Sequence, residues 1–323
     1  MCIRDRSNKK ALIIGNDNYR EVSKLRGCKN DSASIEALLK YNEDETGNFS
    51  TNRHTDLDND SIKREIEQFL KRKCAYALLY YAGHGHINED GGYLCGIDAA
   101  KGNFGVSMKW LCQVINNCET PEITVILDCC HAGEMFNVSN KDGEFALLKQ
   151  GVTVLAATTY NDTAAEFCGK GVFTSILAEG LKGAAKDILG NVSIAGLYAC
   201  AENMLSPFQQ RPVFKSFVDQ ITPLRKCIPL VSEVNLKKLI TNEFFPDLES
   251  TISVNPDILR QRKADFDISF DTFLMLSTYE KAGLLQCDQG KSLIEATLKW
   301  GKCRLSTYGK HVWQLVKKDR LNK

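Results

Sequence analysis

The chain has 323 residues, of which 43% are hydrophobic and 25% are charged, an ordinary composition for a folded globular protein. Its 41 basic and 40 acidic residues nearly cancel, so the sequence indicates neither nucleic acid nor an anionic membrane as a partner. No apolar run approaches the roughly 18 residues of a membrane span. The 13 cysteines include no C-x-x-C pair, which predicts free thiols in a reducing cytoplasm rather than disulfides or a zinc site.

Short apolar runs alternate with amphipathic segments over the first two thirds of the chain. The predicted strands are residues 11–14, 53–57, 75–81, 123–127 and 152–157. The first predicted helix begins at Asn30 or Asp31, either of which could cap it, and ends at Lys40. Further helices are predicted at residues 61–72, 108–116, 174–181 and 193–205. This order predicts an α/β fold with a predominantly parallel sheet flanked by helices. Ligands bind such sheets beyond the carboxyl ends of the strands, so the candidate site follows Tyr81 and Leu127.

The pattern changes around residues 222–229, where two prolines and a basic pair, Arg225 and Lys226, predict a linker. We therefore predict two domains, 8–222 and 223–323. The second contains predicted helices at 270–279, 292–300 and 308–318 and a strand at 302–306, an order typical of a small winged-helix-like module. Because the overall charge is neutral, we expect this module to bind a protein regulator rather than nucleic acid.

Two glycine-flanked loops follow predicted strands and carry reactive side chains. One is YAGHG at residues 81–85, and the other is DCCHAG at 128–133. A thiol is only a few per cent ionised at neutral pH, so a catalytic cysteine requires a neighbouring base, which a histidine on the adjacent strand can supply. Cys130 lies 46 residues after His84, close to the spacing of about 50 in the caspase signature. The backbone amides of Gly85 and Cys130 are the candidate oxyanion donors.

These loops resemble the paired motifs of metacaspases, paracaspases and bacterial orthocaspases. The resemblance extends over roughly residues 9–221 and keeps the order of the family's segments. Besides the two loops it includes KKALIIGNDNY at 9–19, LRGCKND at 25–31, YLCGIDA at 93–99, AATTYNDTAAE at 156–166 and GVFTSILAEGLKG at 171–183. It implies a caspase-like fold and a cysteine endopeptidase acting in bacterial stress, defence or regulated cell death.

The resemblance also implies roles for individual residues. Cys130, the cysteine before histidine in D-x-C-H, falls on the nucleophile, and His84 falls on the general base. Asp31 and Asp128 fall on an acidic pocket that binds the Arg or Lys preceding the scissile bond, with Cys28 beside them. Ala82 stands where the family often has serine, which removes one polar contact from that pocket.

Calcium-dependent members of the family bind the ion through several aspartates. Asp98 matches one of them, but Asn137 stands where another is expected, and no acidic pair occurs near residues 107–108. We therefore predict an enzyme that needs no metal and no other cofactor.

Simpler interpretations exist for each of these residues. Asp31 is also suited to cap a helix, Asp128 to accept hydrogen bonds from loop amides, and Cys28 to pack in the core. Cys129 is expected to be structural. The alternative to an enzyme is a catalytically silent scaffold of the same fold, although both members of the dyad are present. Self-cleavage is a further expectation for the polar stretch 137–150, which contains Lys141 and Lys149.

Overall fold

The computed structural model describes residues 8–129, 149–157, 166–167, 170–206, 211–259, 269–290 and 292–321, with only the backbone at 166, 167 and 170. The chain forms two compact units. The first comprises the described residues up to Lys186 together with Asn191–Cys227, and the second comprises Asp187–Gly190 together with the residues from Ile228 onward. None of the helices in these ranges is long and apolar enough to cross a bilayer.

The first unit is organised by a six-stranded sheet. Its strands and those of the smaller sheets are β1 (Lys9–Gly15), β2 (Ser50–Thr55), β3 (Tyr76–Ala82), β4 (Gly85–Asn88), β5 (Gly91–Leu94), β6 (Val106–Ser107), β7 (Glu122–Asp128), β8 (Val152–Ala156), β9 (Glu166–Phe167), β10 (Lys170–Gly171), β11 (Asn191–Val192), β12 (Val213–Phe217) and β13 (Arg225–Lys226). The main sheet has the order β12-β8-β7-β3-β1-β2. Five of its strands are parallel, and β12 pairs antiparallel with β8 at one edge.

Helices cover both faces of this sheet, as the uninterrupted apolar strands predict. They are α1 (Cys28–Lys40), α2 (Asn59–Lys71), α3 (Met108–Asn117), α4 (Val172–Glu179) with a π-helical turn at Gly180–Ala184, and α5 (Ile194–Leu205). Alternate side chains of β1 enter opposite cores: Leu12 packs with residues of α2 and α3, whereas Ile13 packs with residues of α1, α4 and α5. The predicted α/β architecture is confirmed.

Three small pairings were not predicted from the sequence. A three-stranded antiparallel sheet, β4-β5-β6, follows β3 directly, and two-stranded ribbons join β9 with β10 and β11 with β13. The edge strand β12 was also missed. These strands are short, so their periodicity is too weak to distinguish them from loops.

The second unit has its own core and sheet. It contains α6 (Glu233–Lys238), β14 (Thr251–Ser253), α7 (Pro256–Leu259), α8 (Phe270–Lys281), β15 (Leu285–Cys287), α9 (Leu293–Leu298), β16 (Lys302–Leu305) and α10 (Thr307–Lys317). The strands form an antiparallel sheet in the order β14-β16-β15. Its core includes Phe245, Leu276, Tyr279 and Cys303, all fully buried. The helices and the strand predicted here are present, and its winged-helix-like character stays a prediction.

The segment predicted as a linker begins as part of the first unit. Leu224 is fully buried in the core of that unit, and its carbonyl accepts a hydrogen bond of 2.7 Å from the Asn48 side chain. The carbonyl of Pro223 accepts another of 2.7 Å from Lys9 Nζ. Arg225 and Lys226 then form β13, which pairs with β11. The two units therefore divide after Cys227, five residues beyond the predicted end at Thr222.

Replacing Leu224 tests this boundary. Leu224→Ala in the full chain is expected to lower the free energy of unfolding by about 2–5 kcal/mol, since it removes a leucine from a packed core. Leu230→Ala is the matched control, because Leu230 is 46% exposed and its replacement is expected to cost less than about 0.5 kcal/mol. Urea unfolding of both variants measures the difference. If Leu224→Ala lowers the free energy of unfolding as little as Leu230→Ala does, Leu224 contributes little to the core and the linker interpretation is restored.

Candidate active site

The candidate site is built where β3 and β7 end side by side. The two strands pair in parallel with Tyr81 opposite Leu127 and Ala82 opposite Asp128, and the Gly83 amide continues the ladder by donating to the Asp128 carbonyl over 3.2 Å. Neighbouring strands lie about 4.8 Å apart. His84 is the second residue after the end of β3. The predicted nucleophile Cys130 is the second residue after the end of β7 in the sequence, and it lies outside the described residues.

The imidazole of His84 is oriented by a main-chain carbonyl. Its Nε2 lies 2.7 Å from the Ser23 carbonyl oxygen and 3.4 Å from the Ser23 hydroxyl. A carbonyl oxygen can only accept, so this contact assigns the hydrogen to Nε2 and leaves Nδ1 as the proton-accepting nitrogen of the neutral ring. The ring also packs against Tyr19, with centroids 4.5 Å apart. The contact therefore holds the ring in a tautomer whose Nδ1 can accept a proton.

Two buried tyrosines fix the backbone of His84. The Tyr19 hydroxyl accepts a hydrogen bond of 2.7 Å from the His84 amide, and the Tyr81 hydroxyl lies 2.8 Å from the His84 carbonyl as a donor. Burial raises the pKa of both phenols above the ordinary value, so both keep their protons. Gly83 is required between them, because a Cβ there would lie 2.5 Å from each hydroxyl oxygen.

The amide of Gly85 points away from the neighbouring strand β5. The Cys95 amide donates to the His84 carbonyl over 3.0 Å, and Gly85 is opposite Leu94 in the β4–β5 register. Because hydrogen-bonded and non-hydrogen-bonded pairs alternate along an antiparallel ladder, the Gly85 N–H is directed to the other side. This orientation is compatible with the predicted role as an oxyanion donor.

The carboxylates of Asp31 and Asp128 both lie close to the backbone of Gly171. Asp31 is 2% exposed and Asp128 is 8% exposed. A Cβ on Gly171 would lie 3.1 Å from Oδ2 of Asp31 and 2.9 Å from Oδ2 of Asp128, so only glycine leaves both oxygens uncrowded. The Gly171 amide donates to Asp31 Oδ2 over 2.9 Å. The fold thus brings together two acids that are 97 residues apart in the sequence.

A chain of hydroxyl groups supports Asp128. The Thr174 hydroxyl donates to Asp128 Oδ2 over 2.5 Å, and the Tyr80 hydroxyl lies 2.5 Å from the same threonine oxygen. Burial raises the pKa of Asp128 above its ordinary value, and the hydrogen bonds from Thr174 offset part of that rise. Among the described residues, no cationic side chain forms an ion pair with this carboxylate. A cation entering here would therefore stabilise the ionised form.

Cys28 lies in the same acidic surroundings, which disfavour its thiolate form. It is 8% exposed and belongs to the core packed against α1, α4 and α5. Burial raises the pKa of its thiol, and the negative charges of Asp17, Asp128 and Asp31 raise it further. The sequence suggested two interpretations of Cys28, packing in the core and a position beside the acidic pair, and the two are compatible with each other.

Asp17, which sequence analysis did not single out, caps the helix that carries Asp31. Its two carboxylate oxygens accept from the amides of Cys28 over 3.0 Å and Lys29 over 3.2 Å, at the start of α1. Asp31 lies within the first turn and does not cap it, so the capping interpretation of Asp31 is wrong. A carboxylate that caps from 11 residues earlier matches no local motif, and the sequence offers no signal for it.

The remaining candidates have structural contacts. Cys129 is 2% exposed within the core, and Ala82 is equally buried in β3. Asp98 accepts from the Asn59 amide at the start of α2 over 2.8 Å. Lys149 Nζ lies 3.3 Å from the Thr120 carbonyl. Within the described part of the chain, no group of three or more His, Cys, Asp or Glu residues is arranged to hold a metal ion, and both Asn137 and Lys141 lie outside it.

Comparison with known proteins assigns the chain to a family. The family model described as the caspase domain matches residues 8–222. Human mucosa-associated lymphoid tissue lymphoma translocation protein 1 is 35% identical over 94 residues, which are 28% of this chain and 11% of that protein. The chain therefore spans only a small part of this relative.

A solved structure shares the fold. The crystal structure of caspase-1 from Spodoptera frugiperda matches with a TM-score of 0.50 and 15% identity, covering 69% of this chain and 91% of that chain. At this identity the likeness concerns the fold alone. Together with the family match over residues 8–222, it confirms the caspase-like resemblance found in the motifs, and the chain belongs to the caspase-domain family of cysteine peptidases.

Proposed function

We propose that this chain is a cysteine endopeptidase that cleaves after Arg or Lys through a dyad of Cys130 and His84. The main support is the register of β3 and β7, in which Ala82 pairs with Asp128. Each proposed catalytic residue follows its strand end by two positions. The hydrogen bond from His84 Nε2 to the Ser23 carbonyl adds support, because it leaves Nδ1 as the nitrogen that accepts a proton.

The proposed reaction proceeds through an acyl-enzyme. His84 Nδ1 takes the thiol proton, and the Cys130 sulfur attacks the peptide carbonyl carbon. The amides of Gly85 and Cys130 donate to the oxygen that becomes negative. The imidazolium, which the Ser23 carbonyl stabilises through Nε2–H, then protonates the leaving amine. Water hydrolyses the thioester with His84 again acting as base, and the free enzyme is restored.

The proposed specificity follows from the two buried carboxylates. Asp31 and Asp128 lie on the same side of Gly171, and burial disfavours the ionised form of Asp128. A guanidinium or ammonium group between them would restore the lost solvation, whereas an acidic side chain would be repelled. Arg is favoured over Lys because its planar fork can bond two oxygens at once.

The remaining proposals concern cofactors, partners and setting. We expect no calcium requirement, since the one matching acid, Asp98, accepts a helix amide and an Asn103 side chain at 3.3 Å. The C-terminal unit is proposed to bind a protein regulator, in a cytoplasmic protease of bacterial stress, defence or cell death. Lys149 and Lys141 stay candidate self-cleavage sites.

Substitution of the dyad tests the proposed mechanism. Cys130→Ala and His84→Ala are each expected to lower kcat for a fluorogenic Arg peptide by about 10³-fold or more, because the two residues act as one unit. Cys129→Ala is the matched control and should retain most of the activity, since that side chain is packed in the core. Activity in Cys130→Ala together with its loss in Cys129→Ala would contradict the assignment. A wild-type chain that neither cleaves peptides nor reacts with a peptide electrophile would favour a silent scaffold.

Neutral replacements of the acidic pair test the proposed specificity. Asp31→Asn or Asp128→Asn is expected to lower kcat/KM for Arg peptides by about 10²- to 10³-fold, since breaking a buried charge pair costs about 3–5 kcal/mol. Labelling of Cys130 by a small uncharged electrophile should be unchanged. Asp60→Asn, at an exposed position in α2, is the charge-matched control. Faster cleavage of an Asp peptide than of the matched Arg peptide would overturn the pocket assignment and leave the dyad intact.

A further inference from the structure

Two cysteines of the second unit face each other across neighbouring strands. Cys287 ends β15 and is directly opposite Cys303 in β16. Their sulfur atoms are 3.0 Å apart. Neither residue belongs to the proposed active site, and nothing in the peptidase mechanism uses them.

The ladder gives this pair the backbone spacing of a disulfide. The Asp288 amide donates to the Lys302 carbonyl over 2.9 Å, and the Ser306 amide donates to the Leu284 carbonyl over 2.8 Å. Hydrogen-bonded pairs alternate with non-hydrogen-bonded ones, so Cys287 and Cys303 form a non-hydrogen-bonded pair with Cα atoms about 4.5 Å apart. A disulfide accepts Cα separations of about 4.4–6.8 Å, so the bond can close with little backbone movement.

The two thiols differ in accessibility and in charge. Cys287 is partly exposed, whereas Cys303 is fully buried. The hydrogen bond from the Cys303 thiol lowers the pKa of Cys287, although burial and the nearby Glu280 and Asp288 act in the opposite direction. The pKa of Cys303 is raised by the same hydrogen bond and by burial. Cys287 is thus suited to react first with an external disulfide, and Cys303 to attack the resulting mixed disulfide.

We propose that Cys287 and Cys303 are a site of reversible oxidation, which a low-molecular-weight disulfide such as glutathione disulfide converts into a cross-strand disulfide. The Cys287 thiolate attacks one sulfur of the small disulfide and expels one thiolate. The Cys303 thiol then loses its proton, attacks the sulfur of Cys287 and expels the second thiol. The protein loses two protons and two electrons, and the small disulfide takes them up to become two thiols. An excess of thiol reverses both steps.

Oxidation would stabilise the second unit. The new bond closes a loop that contains α9, and it links β15 to the central strand β16, in which Cys303 belongs to the core. Closing a loop lowers the conformational entropy of the unfolded chain, so the folded state gains stability. The thermal transition of this unit is therefore expected to move to higher temperature in the oxidised protein.

Peptide mapping of the full chain after equilibration with glutathione disulfide and glutathione tests the proposal. After acid quenching and alkylation of the free thiols, the peptides that contain Cys287 and Cys303 should be joined, with a mass lower by two hydrogen atoms. Cys303→Ala should instead accumulate glutathione on Cys287. Cys287→Ser should form neither product and should lose the rise in melting temperature. Cys200→Ser is the control, because Cys200 is a partly exposed thiol of the first unit.

The wild-type result alone decides the proposal if a variant fails to fold. A Cys287–Cys303 link that forms with the disulfide and disappears with excess thiol supports it. The proposal is overturned if both cysteines are still reduced, and therefore fully alkylated, after equilibration with glutathione disulfide in excess over glutathione. A wild-type mixed disulfide on Cys287 that persists without closing would overturn it as well, since Cys303 would then not be within reach.

Discussion

The in-register parallel pairing of β3 with β7 is the constraint on which the proposed site depends. It sets Ala82 opposite Asp128, so the two loops leave the sheet at the same height about 4.8 Å apart. The Gly83 amide extends the ladder by one further hydrogen bond to the Asp128 carbonyl. A slip of one residue would turn every side chain of β3 to the opposite face of the sheet and separate the loops. The two cores that pack against the opposite faces of this sheet therefore hold the register on which the proposed site depends.

The end of β7 also supplies one acid of the buried pair, Asp128, and its burial has an energetic cost. Asp128 ends β7 and is buried between the sheet and α4, with its charge supported by hydroxyl and amide donors of Thr174. Asp31 comes from α1, whose first turn Asp17 caps. Burial of carboxylates destabilises an empty pocket, and in the proposed function a cationic substrate side chain would compensate for this cost. In this account, substrate selectivity and the raised pKa of Asp128 have one physical cause.

Much of this organisation follows from local sequence signals, and the rest depends on distant residues. The apolar strands 75–81 and 123–127 are continuous and end in glycine-containing motifs, so the sheet and the position of His84 were predictable. The Ser23 carbonyl that orients His84 lies 61 residues away, and a main-chain acceptor leaves no mark in the sequence. The first compact unit extends five residues beyond the predicted end because Leu224 is fully buried in its core, although it lies between proline and basic residues, whose local pattern predicts a linker.

The claim that His84 activates Cys130 is tested most directly by the rate at which a small uncharged alkylating agent modifies Cys130 at neutral pH. The rate depends on the thiolate fraction, which is only a few per cent for an unassisted thiol. Removal of the imidazole by His84→Ala is expected to slow alkylation by about tenfold, because the proton acceptor is lost. The agent carries no charge and needs no pocket, so this measurement is independent of substrate binding. Equal alkylation rates in the wild type and in His84→Ala would contradict the account.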